Sequence, residues 1–181
     1  MSAGALAASF SAGPAAAGQV GQVRFEDHVR AGSTLLHLQG AGLVYYRSFI
    51  KGLAAGLYLD ERTRPQDILA DVPKRIEIEY FWSLRGTTIA GALQKPLAAN
   101  VPAARLAALQ AQVDRLHGAM VNVQAGDRYA LTYVPGVGTW LSHNGKTLQT
   151  IPGAEFAAAY FSIWFGDNPM DPKLKRQLLG E

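Results

Sequence analysis

Cysteine is absent from the 181 residues of this chain. Its absence excludes disulfides, thiolate nucleophiles and cysteine-ligated metals together. Charge is also sparse, because 17 basic and 14 acidic side chains leave a formal net charge of only +3. The Lys and Arg residues never run longer than two in a row, so the clustered basic face of a nucleic-acid-binding protein is missing. We therefore expect no nucleic-acid partner.

Long hydrophobic runs are missing as well. No stretch reaches the roughly 18 consecutive apolar residues that a membrane-spanning helix needs, so we expect a protein that does not span a membrane. Hydrophobic residues nevertheless make up 49% of the chain. This proportion favours one folded domain with a self-sufficient core.

The segment 1–20 differs from the rest because it has no charged side chain. Its small residues Pro14-Ala15-Ala16-Ala17 resemble the cleavage site of a secretory signal, although a positively charged start is missing. Two interpretations stay open: a signal peptide that has lost its start, or a disordered leader on a cytoplasmic protein. We favour the first, which predicts a periplasmic or secreted protein whose domain occupies residues 21–181.

Hydrophobic periodicity predicts an α+β domain with strands first, then helices, strands and helices. The stretch from Leu43 to Leu59 is apolar at odd and even positions, which predicts one central strand buried on both faces. Between Arg75 and Trp82, apolar and polar residues alternate, which predicts a strand with one wet or polar-covered face. Further strands are predicted over 23–25, 34–38, 128–134, 139–143 and 146–151, the last two joined by a type I′ turn at Asn144-Gly145.

Helices are predicted over 64–69, 87–99, 102–118, 155–165 and 172–179. Pro96 should break the second of these near its end. The two central helices should pack as a pair against the sheet.

Residues of the kind that form metal or nucleotide sites do not occur in the required patterns. The four histidines, His28, His37, His117 and His143, lack the spacing of metal ligands. The Gly136-Val137-Gly138 motif precedes a strand, and so it indicates a hairpin turn instead of a phosphate-binding loop. We expect neither a metal nor a cofactor.

Two phenols and two cations lie close together in the predicted central strand, at Tyr45, Tyr46, Arg47 and Lys51. A buried cation needs an anionic partner, which a ligand carboxylate would supply. The alternative is that Arg47 or Lys51 extends its charged end to the edge of the sheet.

Three stretches of the chain are informative in combination. They are Gly40-Ala41-Gly42 with FIKGLAAGLYLDERT (49–63), the VPGVGT hairpin (134–139) with its Asn144-Gly145 turn, and SIWFGDNPMDPKLKRQLLG (162–180). Their order and spacing resemble the bacterial branch of the chalcone isomerase-like family, over about residues 23–180. The resemblance implies an open-faced β-sandwich, in which helices cover one side of a large antiparallel sheet and a cleft lies between the two layers.

The resemblance also implies where catalytic residues would lie. In plant members an arginine, with Thr, Tyr and Asn residues, assists ring closure of a chalcone. At the matching positions this chain carries apolar residues: Val44, Leu53, Ile89, Pro96 and Ile163. Arg47 lies near enough to Val44 to supply the missing guanidinium if the alignment is shifted.

An apolar cleft stabilises apolar ligands by roughly 25 cal/mol per Å² buried, but it does not stabilise the charge that forms during cyclisation. We therefore predict a non-catalytic protein that binds a hydrophobic or amphiphilic small molecule such as a fatty acid. The predicted ligand-binding residues are Val44, Tyr46, Arg47, Lys51, Leu53, Ile89 and Ile163. One alternative is an isomerase or intramolecular lyase that uses Arg47, Tyr45 and Tyr46. The other is a module that binds a partner protein through an exposed sheet face.

Overall fold

Seven antiparallel strands form the main sheet, and each pairs with its neighbour in sequence. The strands are β3 (His28–Ala31), β4 (Thr34–Tyr46), β5 (Ile50–Leu59), β6 (Lys74–Tyr80), β7 (Arg128–Val134), β8 (Gly138–His143) and β9 (Lys146–Ile151). The prediction of a type I′ turn between β8 and β9 is confirmed, because Asn144 and Gly145 have φ values of 47° and 81°.

This computed structural model describes residues 18–46 and 50–181. Most of the predicted leader and the whole Arg47 residue therefore lie outside the described residues. Gln19–Val20 (β1), at the end of the predicted leader, pairs with Val23–Arg24 (β2) in a small separate hairpin.

The prediction of a single strand from Leu43 to Leu59 is wrong. Tyr46 pairs with Ile50, and β4 and β5 are two adjacent antiparallel strands. The intervening sequence, Arg-Ser-Phe, contains none of the Gly, Pro or Asn residues that indicate turns. The sequence also failed to predict β3, and it ended a strand before the Gly40-Ala41-Gly42 motif through which β4 continues.

Four helices are formed by the described residues: α1 (Gly86–Asn100), α2 (Ala103–Gly118), α3 (Ala154–Phe165) and α4 (Pro172–Leu179). The predicted break at Pro96 is wrong, because α1 continues through it to Asn100. Proline removes one backbone hydrogen bond, but the buried Leu93 and Leu97 on either side anchor the helix in the core. In place of the helix predicted over 64–69 there is a short 3₁₀ turn at Pro65–Asp67. None of the helices in the described residues is both long and apolar enough to cross a bilayer.

The helices pack on one face of the sheet, which gives an α+β open-faced sandwich. Its main core lies between the two layers and includes Ile76, Leu131, Leu93, Val113, Phe156 and Phe161.

The opposite face of β6 carries Glu77, which is only 8% exposed. Its carboxylate accepts from Arg75 and Arg128, each at 2.8 Å. The expectation that this face is wet, or covered by polar material alone, is therefore wrong at this point. Phe25, which follows β2, covers it, with its ring 5.2 Å from the Arg128 guanidinium.

Helix α4 lies directly on β4, and this contact explains the glycines there. A Cβ on Gly40 would lie 2.3 Å from the Gln177 carbonyl oxygen and 2.7 Å from that of Leu178. Only glycine allows two backbones to approach so closely. Gln39 Nε2 adds a hydrogen bond of 3.1 Å to the Leu179 carbonyl oxygen.

Candidate functional site

A cavity of about 420 Å³ lies between the helix-covered face of the sheet and the helices. This volume falls within the roughly 300–1,000 Å³ typical of small-molecule sites. The sheet contributes Val44, Leu53, Ile76, Ile78, Tyr80, Tyr129, Leu131 and Leu141 to the wall, and the helices contribute Thr88, Ile89, Ala92, Leu93, Tyr160, Trp164 and Leu174. The wall is therefore predominantly aliphatic and aromatic.

A second chamber of about 560 Å³ adjoins the first. Both chambers are lined by Val44, Tyr45, Leu53, Tyr80 and Leu84, so the two chambers lie next to each other along this shared wall. The outer chamber also includes Trp82, whose side chain is 56% exposed and whose Nε1 donates to the Lys51 carbonyl oxygen at 2.7 Å. Exposed aromatic residues therefore mark the mouth of the site.

Two phenols of the inner wall already have protein partners. The Tyr129 hydroxyl accepts from the Val121 backbone nitrogen at 2.7 Å and donates to the Val121 carbonyl oxygen at 2.6 Å. The Tyr160 hydroxyl lies 3.0 Å from His117 Nε2. Burial raises the pKa of Tyr160 well above its usual value and lowers the pKa of His117. This pair is therefore uncharged at neutral pH.

Two further polar groups of the inner wall, the Tyr80 hydroxyl and Trp164 Nε1, have no hydrogen-bond partner among the described residues. Both side chains are only 5% exposed, and both line the inner chamber. Burial, with a smaller contribution from Tyr129, raises the pKa of Tyr80. Tyr80 is therefore a neutral hydrogen-bond donor at any physiological pH.

Asp171 is the only charged residue among the described residues of the inner wall. Its Oδ1 accepts from the backbone nitrogens of Lys173 and Leu174, each at 2.9 Å, and so caps the first turn of α4. Within the described part of the wall, no cation faces the cavity to stabilise a developing oxyanion.

The structure brings together three of the predicted ligand-binding residues. Val44, Leu53 and Ile89 all line the inner chamber. Tyr45, named for the alternative catalytic site, lines both chambers, and its side chain is 41% exposed.

The other predicted residues are placed differently. Ile163 is 0% exposed and packs in the core of α3, outside the cavity wall. Lys51 is exposed, and its Nζ lies near Gly21 in the hairpin that joins β1 and β2. Arg47 and the side chain of Tyr46 lie outside what the structure describes.

The sequence analysis did not identify Tyr80, Tyr129, Tyr160 or Trp164 as site residues. Tyr80 and Tyr129 belong to alternating strand patterns, and Tyr160 and Trp164 belong to an apolar helical stripe, and both patterns are the same for residues that only fill a core. The one signal in their favour was chemical, since each of these aromatic residues carries a polar atom that needs a partner when buried.

Comparison with known proteins agrees with this architecture. The sequence model of the family described as chalcone isomerase-like matches residues 17–180. A search of curated proteins finds no match. Among solved structures, a fatty-acid binding protein from Arabidopsis thaliana is similar, with a TM-score of 0.66 and 15% sequence identity. The similarity covers 87% of this chain and 92% of that one, and at this identity it shows the fold alone. Because the family model spans nearly the whole of the described sequence, this chain belongs to the chalcone isomerase-like family.

Proposed function

We propose that this protein binds one apolar or amphiphilic small molecule in the cavity between sheet and helices, and that it does not transform it. The observation that carries the proposal is a cavity of about 420 Å³ with an apolar wall, adjoining a second chamber. Each 100 Å² of apolar ligand surface buried there contributes roughly 2.5 kcal/mol. This is sufficient to bind a long-chain ligand without any ionic contact.

The composition of the wall favours binding over isomerase chemistry. Closing a chalcone ring requires donors or cations aimed at a developing enolate. The matching positions Val44, Leu53 and Ile89 line the cavity with aliphatic groups instead.

A ligand with a fatty-acyl chain agrees best with these features. The two chambers share Tyr80 and Leu53 in their walls, and two adjacent apolar chambers offer a long chain more room than one. The Arabidopsis protein of similar fold is described as binding fatty acids, which supports the same class of ligand here.

A matched pair of variants on α1 tests the proposal. Ala92 lines the cavity, whereas Ala98 is an exposed residue of the same helix that does not. Replacing Ala92 by Phe places a ring in the ligand space, and we expect it to weaken binding of a fluorescent fatty-acid analogue at least tenfold. We expect Ala98→Phe to bind like the wild type. Both positions are exposed, so neither substitution should unfold the domain.

Organic extracts of the purified wild-type protein, analysed by mass spectrometry, provide an independent measurement. A wild type that carries no lipid and binds no analogue would exclude the proposal. Turnover of a chalcone by the wild type, lost in Tyr45→Phe or Arg47→Ala, would replace it with the isomerase function. Export of the protein is a separate proposal that rests on the composition of residues 1–20, and N-terminal sequencing of protein from each cell fraction tests it.

A further inference from the structure

Tyr80 occupies the point at which the two chambers of the cavity meet. Its side chain belongs to the wall of both chambers, and it is 5% exposed. The hydroxyl has no hydrogen-bond partner among the described residues, in contrast with the neighbouring phenol of Tyr129, which both accepts and donates a bond. A ligand that covered this hydroxyl without accepting a hydrogen bond from it would leave the hydroxyl unsatisfied, which is costly.

The surroundings of Tyr80 determine which partner it can accept. The ring of Tyr129 lies 5.9 Å away, edge to face, and the indole of Trp164 adds a second donor to the same inner wall. The described residues provide no cation there, and the one charged group, Asp171, is an anion. A ligand carboxylate placed in this wall would lose its hydration without gaining an ionic partner from the described residues. A neutral oxygen would lose little and gain a hydrogen bond.

We infer that the cavity contains a subsite at the Tyr80 hydroxyl for an uncharged oxygen acceptor, such as the carbonyl of an ester or ketone, with apolar groups on both sides of it. This inference rests on the proposed function and specifies its ligand class. The Tyr80 hydroxyl donates to the carbonyl oxygen, and the apolar parts of the ligand extend into the two chambers. Burial keeps the phenol protonated, since it raises the pKa of Tyr80.

Three ligands of similar length separate the relevant chemistries: methyl laurate, tridecane and laurate at about pH 8, where the acid is ionised. Displacement of a fluorescent long-chain probe measures all three affinities. For the wild type we expect methyl laurate to bind about fivefold tighter than tridecane, the worth of one neutral hydrogen bond. We also expect it to bind tighter than the laurate anion.

The variant Tyr80→Phe removes only the hydroxyl. We expect it to abolish the advantage of methyl laurate while leaving the affinity for tridecane unchanged. Tyr58→Phe is the matched control, because Tyr58 is 0% exposed, its hydroxyl also has no partner, and it lies on the opposite face of the sheet. We expect this control to bind all three ligands like the wild type. Thermal unfolding of both variants establishes that each is folded.

Two results would overturn the inference while leaving the proposed function intact. One is an ester advantage that persists in Tyr80→Phe. The other is a laurate anion that binds tighter than its methyl ester, which would show that the site recognises a carboxylate. If none of the three ligands displaces the probe, or the probe itself does not bind, the proposed function fails together with this inference.

Discussion

The buried Lys74 predicts a domain that becomes more stable as the pH rises above neutrality. The side chain, at the start of β6, is 0% exposed. Its ammonium donates to the carbonyl oxygens of Ile68 at 2.7 Å and Ala70 at 2.6 Å, and it lies 5.1 Å from the centre of the Tyr133 ring. Burial lowers the pKa of Lys74 from 10.5 to about 8, while the nearby Asp71 acts in the opposite direction.

Between these two pKa values the unfolded chain binds a proton that the folded chain has lost, so the free energy of unfolding increases with pH. The contribution is complete above the unfolded pKa and is lost as the pH falls through the folded pKa. One pKa unit corresponds to about 1.4 kcal/mol. Integrating both titrations from about pH 7.5 to about pH 9.5 gives an increase of about 2 kcal/mol.

Buried tyrosines set the upper limit of the useful pH range. Burial raises the pKa values of Tyr80 and Tyr160. Tyrosine ionises in an unfolded chain at about pH 10, so these residues reduce stability only as the pH rises above that value. Below about pH 9.5 the change in the free energy of unfolding with pH therefore reflects the titration of Lys74, with little contribution from these tyrosines.

Urea unfolding of the wild type, Lys74→Met and Lys146→Met across this pH range is the assay. Lys146 is exposed on β9, so its variant should keep the wild-type dependence on pH, whereas Lys74→Met should lose the increase of about 2 kcal/mol. A wild-type curve that runs parallel to that of Lys74→Met would refute the reasoning. If the Lys74 variant does not fold, ¹⁵N NMR of the lysine side chains measures the pKa of Lys74 directly in the wild type.

Two further predictions concern contacts that position the sheet. Gly40→Ala should lower the free energy of unfolding by about 1–3 kcal/mol, because the added Cβ would meet the Gln177 and Leu178 carbonyl oxygens of α4. The control is Gly118→Ala, whose added Cβ has nothing within 4 Å and which should be neutral or slightly stabilising in the same chemical denaturation. An equal loss of stability in both variants would contradict the argument that the two backbones approach too closely for a side chain. Arg128→Met should cost about 1–3 kcal/mol, because it removes one of the two arginine partners of Glu77 and the arginine partner of Glu79, whose side chains are 10% and 17% exposed. Arg64→Met breaks a pair with Asp67 in which the two side chains are 70% and 39% exposed, and it should cost about 0–1 kcal/mol. Similar losses in the two variants would show that burial does not decide the strength of these pairs.

Elements whose conformation is determined by adjacent residues were predictable from the sequence. The turn at Asn144-Gly145 depends on the positive φ angles of two adjacent residues. Helix α4 likewise has its signals in sequence, with Asp171 at its cap, Pro172 in its first turn and Gly180 in a left-handed conformation after its end.

Features that depend on contacts between residues far apart in the sequence were not predictable in the same way. In the sequence, Gly40 resembles the end of a strand. The glycine is required by the contact with α4, which lies more than a hundred residues later in the chain. Positions aligned with the plant pattern led to Val44, Leu53 and Ile89, which the cavity brings together. Tyr80 was not found, because an aromatic residue in an alternating strand has the same sequence pattern whether it fills the core or faces an empty space.

The position of α4 has a consequence for how the cavity forms. Strands β3 to β9 each pair with a sequence neighbour. Apart from β6 and β7, which are separated in the chain by α1 and α2, these neighbours are joined by shorter connections, and contacts that close short loops form early. The wall around Leu174 depends instead on a helix that docks beside Gln39, 140 residues from its partner Leu179. During refolding, the ability to bind a ligand should therefore arise after the sheet has formed. The time at which a probe becomes bound would measure when α4 docks.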